Sequence, residues 1–503
     1  MSEVPFQRRL ERQLIRQQAR IEAGAGDRWI PTVVVVLLGA VLIRAGLDRL
    51  DALDTGRNLA AYSQSLWLLS EGKMPEASLF GPDVHVLERN WTFILYPLGA
   101  LATVVPAAEL LIVVQSAALA IAVLPLWWLA RSVAKLRVGA ATALIGAYAL
   151  HPATHRLGTE DFNPASLAVP ALIAMAFFGA TKRWPWYWAA IAFALACRAD
   201  LGLAVALWGF VVLGSRERTV GLWTLGVGLF WSLGLLMIVH PIIGQTPLAP
   251  ETFGGTDGTF LGDVLLDAVR DPVRVVQDLV ARENITLIVG LLAPVIFLPL
   301  LSLRYLAPAL PLGVLYLAAG AADEAIFAER AAMLLAFVLI AATYALNRLG
   351  NMGVDRVFLD VRILSTLAAA AMLIFVADSP ISPYERPWEW DRQTSVDASI
   401  MEAIELIEDD VAVRASPAAL AELSDRDWIF ALDTEQEPVA ALAGFPDYTL
   451  AVLVVDEQIP ERTQSSREAF DQGMTSQGFQ LVYDENGVAL YSRQDGDAVV
   501  PDG

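Results

Sequence analysis

The sequence predicts an α-helical polytopic membrane protein of about eleven spanning helices, closed by a small soluble α/β domain at its C-terminal end. Three observations lead there. Apolar residues make up 56% of the chain, with 14 Trp and a mean hydropathy of +0.51, above the roughly 45–50% usual in soluble domains. Apolar runs of near-spanning length recur from residue 30 to residue 377. The whole net charge of −20 lies beyond them, where residues 378–503 hold 27 Asp and Glu against 7 Arg and no Lys.

The elements follow in order. Residues 1–29 form a basic arm carrying Arg8, Arg9, Arg12, Arg16, Arg20 and Arg28. It is long, mixed with acids and followed by no small-x-small cleavage site, so the first apolar run is expected to be a retained anchor. Expected spans are 30–47, 107–130, 138–154, 165–180, 185–198, 200–214, 219–240, 284–302, 305–320, 329–346 and 357–377. The Arg and Lys clusters lie at the N-terminal arm, Arg131/Lys135/Arg137, Lys182/Arg183, Arg216/Arg218, Arg304 and Arg348/Arg356. With eleven spans all of them fall on the cytoplasmic side. The outer loops are then 48–106, 151–164, 198–200, 241–283 and 321–328. This layout requires that 91–106 not cross; Pro97, Gly99 and Pro106 suit an interfacial or re-entrant helix.

Asp378-Ser-Pro-Ile-Ser-Pro reads as a linker into residues 378–503, the extracytoplasmic domain. Its pattern is helix 395–408, strand 411–415, helix 417–423, strand 427–432, strand 448–455, helix 462–477, then a hairpin of 479–483 and 488–492 around Asp484-Glu-Asn-Gly. So acidic a domain repels nucleic acid and anionic headgroups, which points away from both as partners. Only Lys73, Lys135 and Lys182 represent lysine, a bias that suits a high-salt host and equally a GC-rich genome. Cys197 is the sole cysteine, which excludes an internal disulfide and thiolate metal sites.

Walker, GxGxxG, HExxH, CxxC and GxSxG signatures are all absent. Polar residues concentrate instead at one membrane face. Asp48, Asp51 and Asp54 recur every third residue just past the first span, so a continued helix sets them on roughly one face. They read either as a general base or metal ligand, or as a solvated helix end with Asp48–Arg49 and Asp54–Arg57 pairs. The connection from His151 to Pro164 is denser than a turn requires, with His155, Arg156, Glu160, Asp161 and Asn163. Arg198 and Asp200 interrupt an apolar stretch, either as a functional pair or as a structural ion pair where two short helices meet.

Several of these pieces resemble the family named domain of unknown function 2079. They are Asp54-Thr-Gly, Gln64-Ser-Leu-Trp67 with Gly72, Tyr96-Pro97, Asp161-Phe-Asn-Pro164 and Arg198-Ala-Asp200. In the tail, Val411–Ser416, Leu423–Arg426, Asp447-Tyr448 and Gly487–Arg493 agree as well. That family is similar to the membrane glycosyltransferases of C type (the GT-C fold), which bear a catalytic carboxylate in the first outer loop and take sugar from a polyprenyl-phosphate carrier. The resemblance implies an inverting transfer to a glycan or protein acceptor outside the cell. It makes Asp54 the expected base, with Asp161 a second carboxylate, both able to hold a divalent metal (Mg or Mn). Arg57 and Arg198 are expected at the donor phosphate, with Asp200 orienting Arg198. Gln64, Trp67, Asn90, His155 and Asn163 complete the expected substrate-binding set.

The chain departs from the family pattern at Asn163 and Asn90, where His is expected, and at Ala199, where Glu is. A non-catalytic lipid-binding scaffold, or a transporter with a partner-binding outer domain, is the alternative. A transporter would show internal repeats and midplane polar sites. The sequence has neither.

Overall fold

The computed structural model describes residues 24, 26–81, 84–87, 91–234, 282–318, 324–352, 356–385, 393–432, 451–455 and 464–493. Most of the basic arm, Asn90, most of the loop 241–283 and part of the expected strand 448–455 lie outside the described residues.

Among the described residues the membrane region is mostly helical. Its helices are α1 (Gly26–Asp51), α2 (Arg57–Ser70), α3 (Leu95–Ala102), α4 (Ala107–Val133), α5 (Val138–Ala149), α6 (Pro152–Thr159), α7 (Pro164–Ala180), α8 (Trp184–Cys197), α9 (Leu201–Leu213) and α10 (Arg218–Leu229). A bent pair follows, α11 (Asn284–Val295) and α12 (Leu298–Val314), then α13 (Glu324–Leu349) and α14 (Val361–Asp378). Proline opens α6, α7 and α8, where a missing N–H costs nothing. Side chains of His151, Asn163 and Asp360 cap α6, α7 and α14.

Among the described residues, α1, α4, the stretch Ala332–Leu349 of α13, and α14 are each long and apolar enough to cross a bilayer. Helices α5, α7, α8 and α9 are apolar but run only 12 to 17 residues. The expected spans 284–302 and 305–320 are instead one pair bent by 84°. The turn falls at Ile296 and Phe297, both left-handed, between Pro294 and Pro299, whose rings remove the N–H groups a continuous helix would use. Helix α3 has only 8 residues, about 12 Å, far short of a bilayer.

Packing sorts the helices. Helix α13 is buried on every side from Leu335 through Thr343, as an apolar helix at the centre of a bundle should be. Helices α1 and α14 expose Val36, Leu37, Met372 and Leu373, surface suited to lipid. Helices α9 and α10 meet backbone to backbone: a Cβ on Gly228 would lie 2.5 Å from the Gly202 carbonyl, and one on Gly209 2.8 Å from that of Gly221. Small residues permit that approach, the usual way helices associate without a hydrophobic driving force.

Side-chain contacts divide the loops between two faces. On one, Arg131 pairs with Asp27 at 2.6 Å, Lys182 with Glu217 at 2.6 Å, and Arg304 donates to Val211 O at 2.5 Å. There Arg348 also donates to Leu301 O, Asn347 to Ala134 O, and strands β1 (Asn351–Met352) and β2 (Val357–Phe358) form a small ribbon beside Leu136. The expected basic loops thus gather together. On the other face stand α2, α3, α6, the α8–α9 bend and the C-terminal domain.

That domain is a five-stranded mixed sheet in the order β4-β3-β5-β7-β6, flanked by α15 (Ser395–Glu405) and α16 (Gln464–Ser476). Its strands are β3 (Val413–Ala415), β4 (Ile429–Ala431), β5 (Ala451–Val455), β6 (Gln480–Glu485) and β7 (Val488–Ser492). Strands β4, β3 and β5 are parallel; β5, β7 and β6 are antiparallel. The hairpin is tighter than its sequence suggested: β6 continues through Glu485, and only Asn486 and Gly487, both with positive φ, make the turn. The expected helix 417–423 shortens to a single 3₁₀ turn, Pro417–Ala419.

Candidate functional site

The candidate site begins where α1 ends. Leu53 takes a left-handed conformation (φ 54°), and the Leu53 and Asp54 N–H groups bond back to Leu50 O and Arg49 O, the two bonds of a Schellman stop. The helix therefore ends before Asp54, and the three aspartates do not share one face. Asp48 is buried against Arg44 at 2.8 Å. Asp54 pairs with Arg49 at 2.8 Å rather than with Arg57, and Arg49 also donates to Thr159 O at 2.9 Å. Both Arg49 contacts reach Asp54 Oδ2; the side chain is 61% exposed, which leaves Oδ1 open to solvent.

Asp161 has the opposite environment. Its Oδ1 accepts from Leu59 N at 2.7 Å and Phe162 N at 2.8 Å, and its Oδ2 from Asn58 N at 3.1 Å. It caps α2 from another segment of the chain, with its charge at the positive end of the helix dipole. Gly56 explains the family's Asp-x-Gly: a Cβ there would stand 2.2 Å from Asp161 Oδ2. Its φ is an ordinary −81°, so space and not backbone freedom demands glycine. Gln115 of α4, which sequence reasoning missed, fixes the same segment by donating to Asp161 O and accepting from Asn163 N. A lone Gln in an apolar span was its only signal. Asn163 spends its side chain capping α7 at Ala165 N, 2.9 Å.

With Asp161 engaged by three amides and Asp54 Oδ2 by Arg49, this pair does not fit a metal. Among the described residues no three His, Cys, Asp or Glu side chains group as metal ligands would.

Other expected binding residues turn out to join protein segments. Gln64 is fully buried; its Nε2 donates to Ser78 Oγ at 3.0 Å, Asp427 O at 2.9 Å and Arg426 O at 3.2 Å. Trp67, three residues on, lies under the Lys73 ammonium, 4.9 Å from its ring centre. Arg57 donates to Leu79 O at 2.7 Å, within the turn Ser78–Phe80. His155 is buried between Ser379 Oγ and Ala149 O, both at 2.7 Å, and Arg156 pairs with Asp378 at 2.9 Å. The proline-marked linker is thereby fastened to α6.

Arg198 and Asp200, at 3.2 Å, form a buried ion pair in the extended break between α8 and α9. Ser232 Oγ donates to Ala199 O and Ile94 N to Ala196 O, so this bend touches both the end of α10 and the entry to α3. Phe93 stacks edge-on with Trp231, ring centres 5.7 Å apart. Among the described residues two donors here lack partners: Thr92 Oγ1, on a fully buried residue, and Trp231 Nε1. Buried donors are costly to leave unsatisfied, which marks the bend as a place where a ligand gains bonds without displacing any.

Carboxylates crowd the junction with the C-terminal domain. Burial, then Glu109, Asp51 and Asp425, push Glu422 above the usual carboxylate range. Burial and Glu109 raise Asp425, partly offset by Arg426. Both side chains nevertheless keep substantial contact with water, so screening weakens the repulsion.

The family model described as Predicted membrane protein (DUF2079) matches residues 49–490. The chain belongs to this family. No curated protein matches the sequence. Among solved structures, ArnT from Cupriavidus metallidurans bound to undecaprenyl phosphate aligns with a TM-score of 0.57 and 10% identity, over 93% of this chain and 99% of that chain. At such identity the likeness is one of fold: the family member described here has a GT-C-like helical membrane region with a small C-terminal sheet domain.

Proposed function

We propose that this protein is a membrane glycosyltransferase that moves a sugar from a polyprenyl-phosphate-linked donor to a glycan or protein acceptor outside the cell. The observation that carries the reading is the contrast at the α2 entry, where Asp161 is spent on holding the backbone so that Asp54 stands open at the outer mouth. Fold likeness to a protein solved with undecaprenyl phosphate supports the choice of lipid. In this reading the basic face is cytoplasmic, and the acidic domain lies outside with the site.

Asp54 Oδ1 takes the proton of the acceptor hydroxyl. The hydroxyl oxygen bonds to the anomeric carbon as the bond from that carbon to the phosphate oxygen breaks, with inversion. Polyprenyl phosphate departs carrying the bonding electrons. Arg198, Thr92 and Trp231 offer donors for the phosphate oxygens, and the apolar flank of α3 (Tyr96, Leu101) lies where a lipid tail would pass. The decisive test is transfer from a radiolabelled polyprenyl-phosphate sugar in isolated membranes. Asp54→Asn should abolish it while protein levels hold; unchanged transfer removes Asp54 from the mechanism. A scaffold or transporter would instead bind or move lipid with no product in wild type.

A further inference from the structure

We propose that the C-terminal domain is a clamp on α2, and that Gln64 is a positioning residue closing it. The catalytic arm of this inference rests on the transferase reading; the clamp itself does not.

Helix α2 has 14 residues and lies between two chain reversals, left-handed Leu53 before it and Gly72 at φ 75° after it. Such a segment needs external fixing to keep its N-terminus in register. The structure supplies that at three points. Asp161 caps its start. At its middle Ser63 meets Ser424 at 2.9 Å, and Gln64 donates to two successive carbonyls of the domain, Arg426 O and Asp427 O. Just past its end Lys73 pairs with Asp427 at 2.5 Å. The turn at Ser78 completes the joint, donating to Ile429 O at 2.7 Å and accepting from Ile429 N at 2.9 Å beside strand β4. Tyr62 fills the space between, edge-on to both Phe80 and Phe162 at 5.2 Å. The domain, α2 and the Asp161 segment therefore form one continuous stack, and Asp54 lies just before its α2 end.

A clamp makes a demand that a substrate-binding Gln64 does not: any other bond across the same joint should replace it. Ser63 and Ser424 are suitably placed for a cysteine pair, and the one native cysteine, Cys197, is buried. The full-length protein carrying Gln64→Ala should show amide hydrogen exchange over residues 57–63 faster by about tenfold. Its kcat should fall with little change in donor KM. Adding Ser63→Cys and Ser424→Cys and oxidising the pair should restore both exchange protection and kcat, and reduction should remove them again. If Gln64→Ala does not accumulate, Ser78→Ala with the same pair is scored identically. Exchange over 57–63 that is insensitive to these variants overturns the clamp. Restored protection without restored kcat, against an active wild type, overturns the positioning role. A wild type without transfer activity sinks the transferase reading, and the exchange result then decides the clamp alone.

Discussion

Two polar regions on the face that carries the C-terminal domain are built on opposite principles. Around α2 nearly every polar side chain is spent on the protein itself: Asp161 on amides, Gln64 and Ser78 on the domain, His155 on the linker. At the α8–α9 bend an ion pair is buried beside donors that have no partner, Thr92 and Trp231. The first region is architecture that leaves the Asp54 carboxylate open. The second still has bonding capacity to offer a ligand. Polar density alone therefore does not identify a binding site; what distinguishes the two is whether the hydrogen-bonding capacity is already used.

The largest effect should come from the exposed carboxylate of Asp54 in the first region. Asp54→Asn should cost transfer on the order of 10²–10⁴-fold, the usual worth of a general base, measured as initial rate in membranes with saturating donor. Next comes the support beneath it. Gly56→Ala should drive Asp161 off the α2 N-terminus, since a Cβ there would meet both Oδ2 and Cγ within 2.3 Å. Overpacking and a lost cap together cost about 2–5 kcal/mol, read as a lower unfolding midpoint and reduced membrane accumulation. A Gly56→Ala protein as stable as wild type would mean that the contact is loose.

How legible this was depends on which physical signal each feature carried. The apolar membrane region and the acidity of the C-terminal region are readable because composition and charge change along the chain over tens of residues. The motif residues were readable as positions but not as roles. Asp161 and Asp54 have the same chemistry in sequence, and only the fold shows that one carboxylate lies under the amides of α2 while the other lies beyond a helix stop. The rule that i and i+3 share a face failed at Asp54, because Leu53 adopts a left-handed conformation that glycine usually supplies. Gln115 and Ser78 went unnoticed because their partners, Asn163 and Ile429, are 48 and 351 residues away. The bend at Ile296-Phe297 was hidden for another reason: hydropathy does not register a change of direction.

The second region yields a smaller and cleaner test. Thr92→Val and Trp231→Phe each delete a donor that bonds nothing in the protein, so neither should lower thermal stability. If these donors face the donor phosphate, each change should raise donor KM about 2–10-fold with kcat nearly unchanged. An unaltered KM in the double variant would move the phosphate elsewhere and leave the bend as a purely structural joint.

The smallest effect is electrostatic and concerns how the two halves meet. Glu422 and Asp425 sit above the usual carboxylate range in the folded protein because burial and the charge of Glu109, joined at Glu422 by Asp51, disfavour their ionised forms. In that pH interval the folded state binds more protons than the unfolded one, so stability falls as pH rises through the raised values and recovers as pH falls. Lys73–Asp427 and Arg426 oppose the repulsion, and the solvent exposure of both acids keeps it modest. Wild-type unfolding midpoints should thus rise slightly from pH 8 toward pH 5, and added salt at pH 8 should have the same sign. Glu422→Gln with Asp425→Asn should raise the midpoint at pH 8 and flatten both dependences. A junction that instead weakens with salt would show that the Lys73 pair outweighs the crowded acids, placing the attraction rather than the repulsion in control of docking.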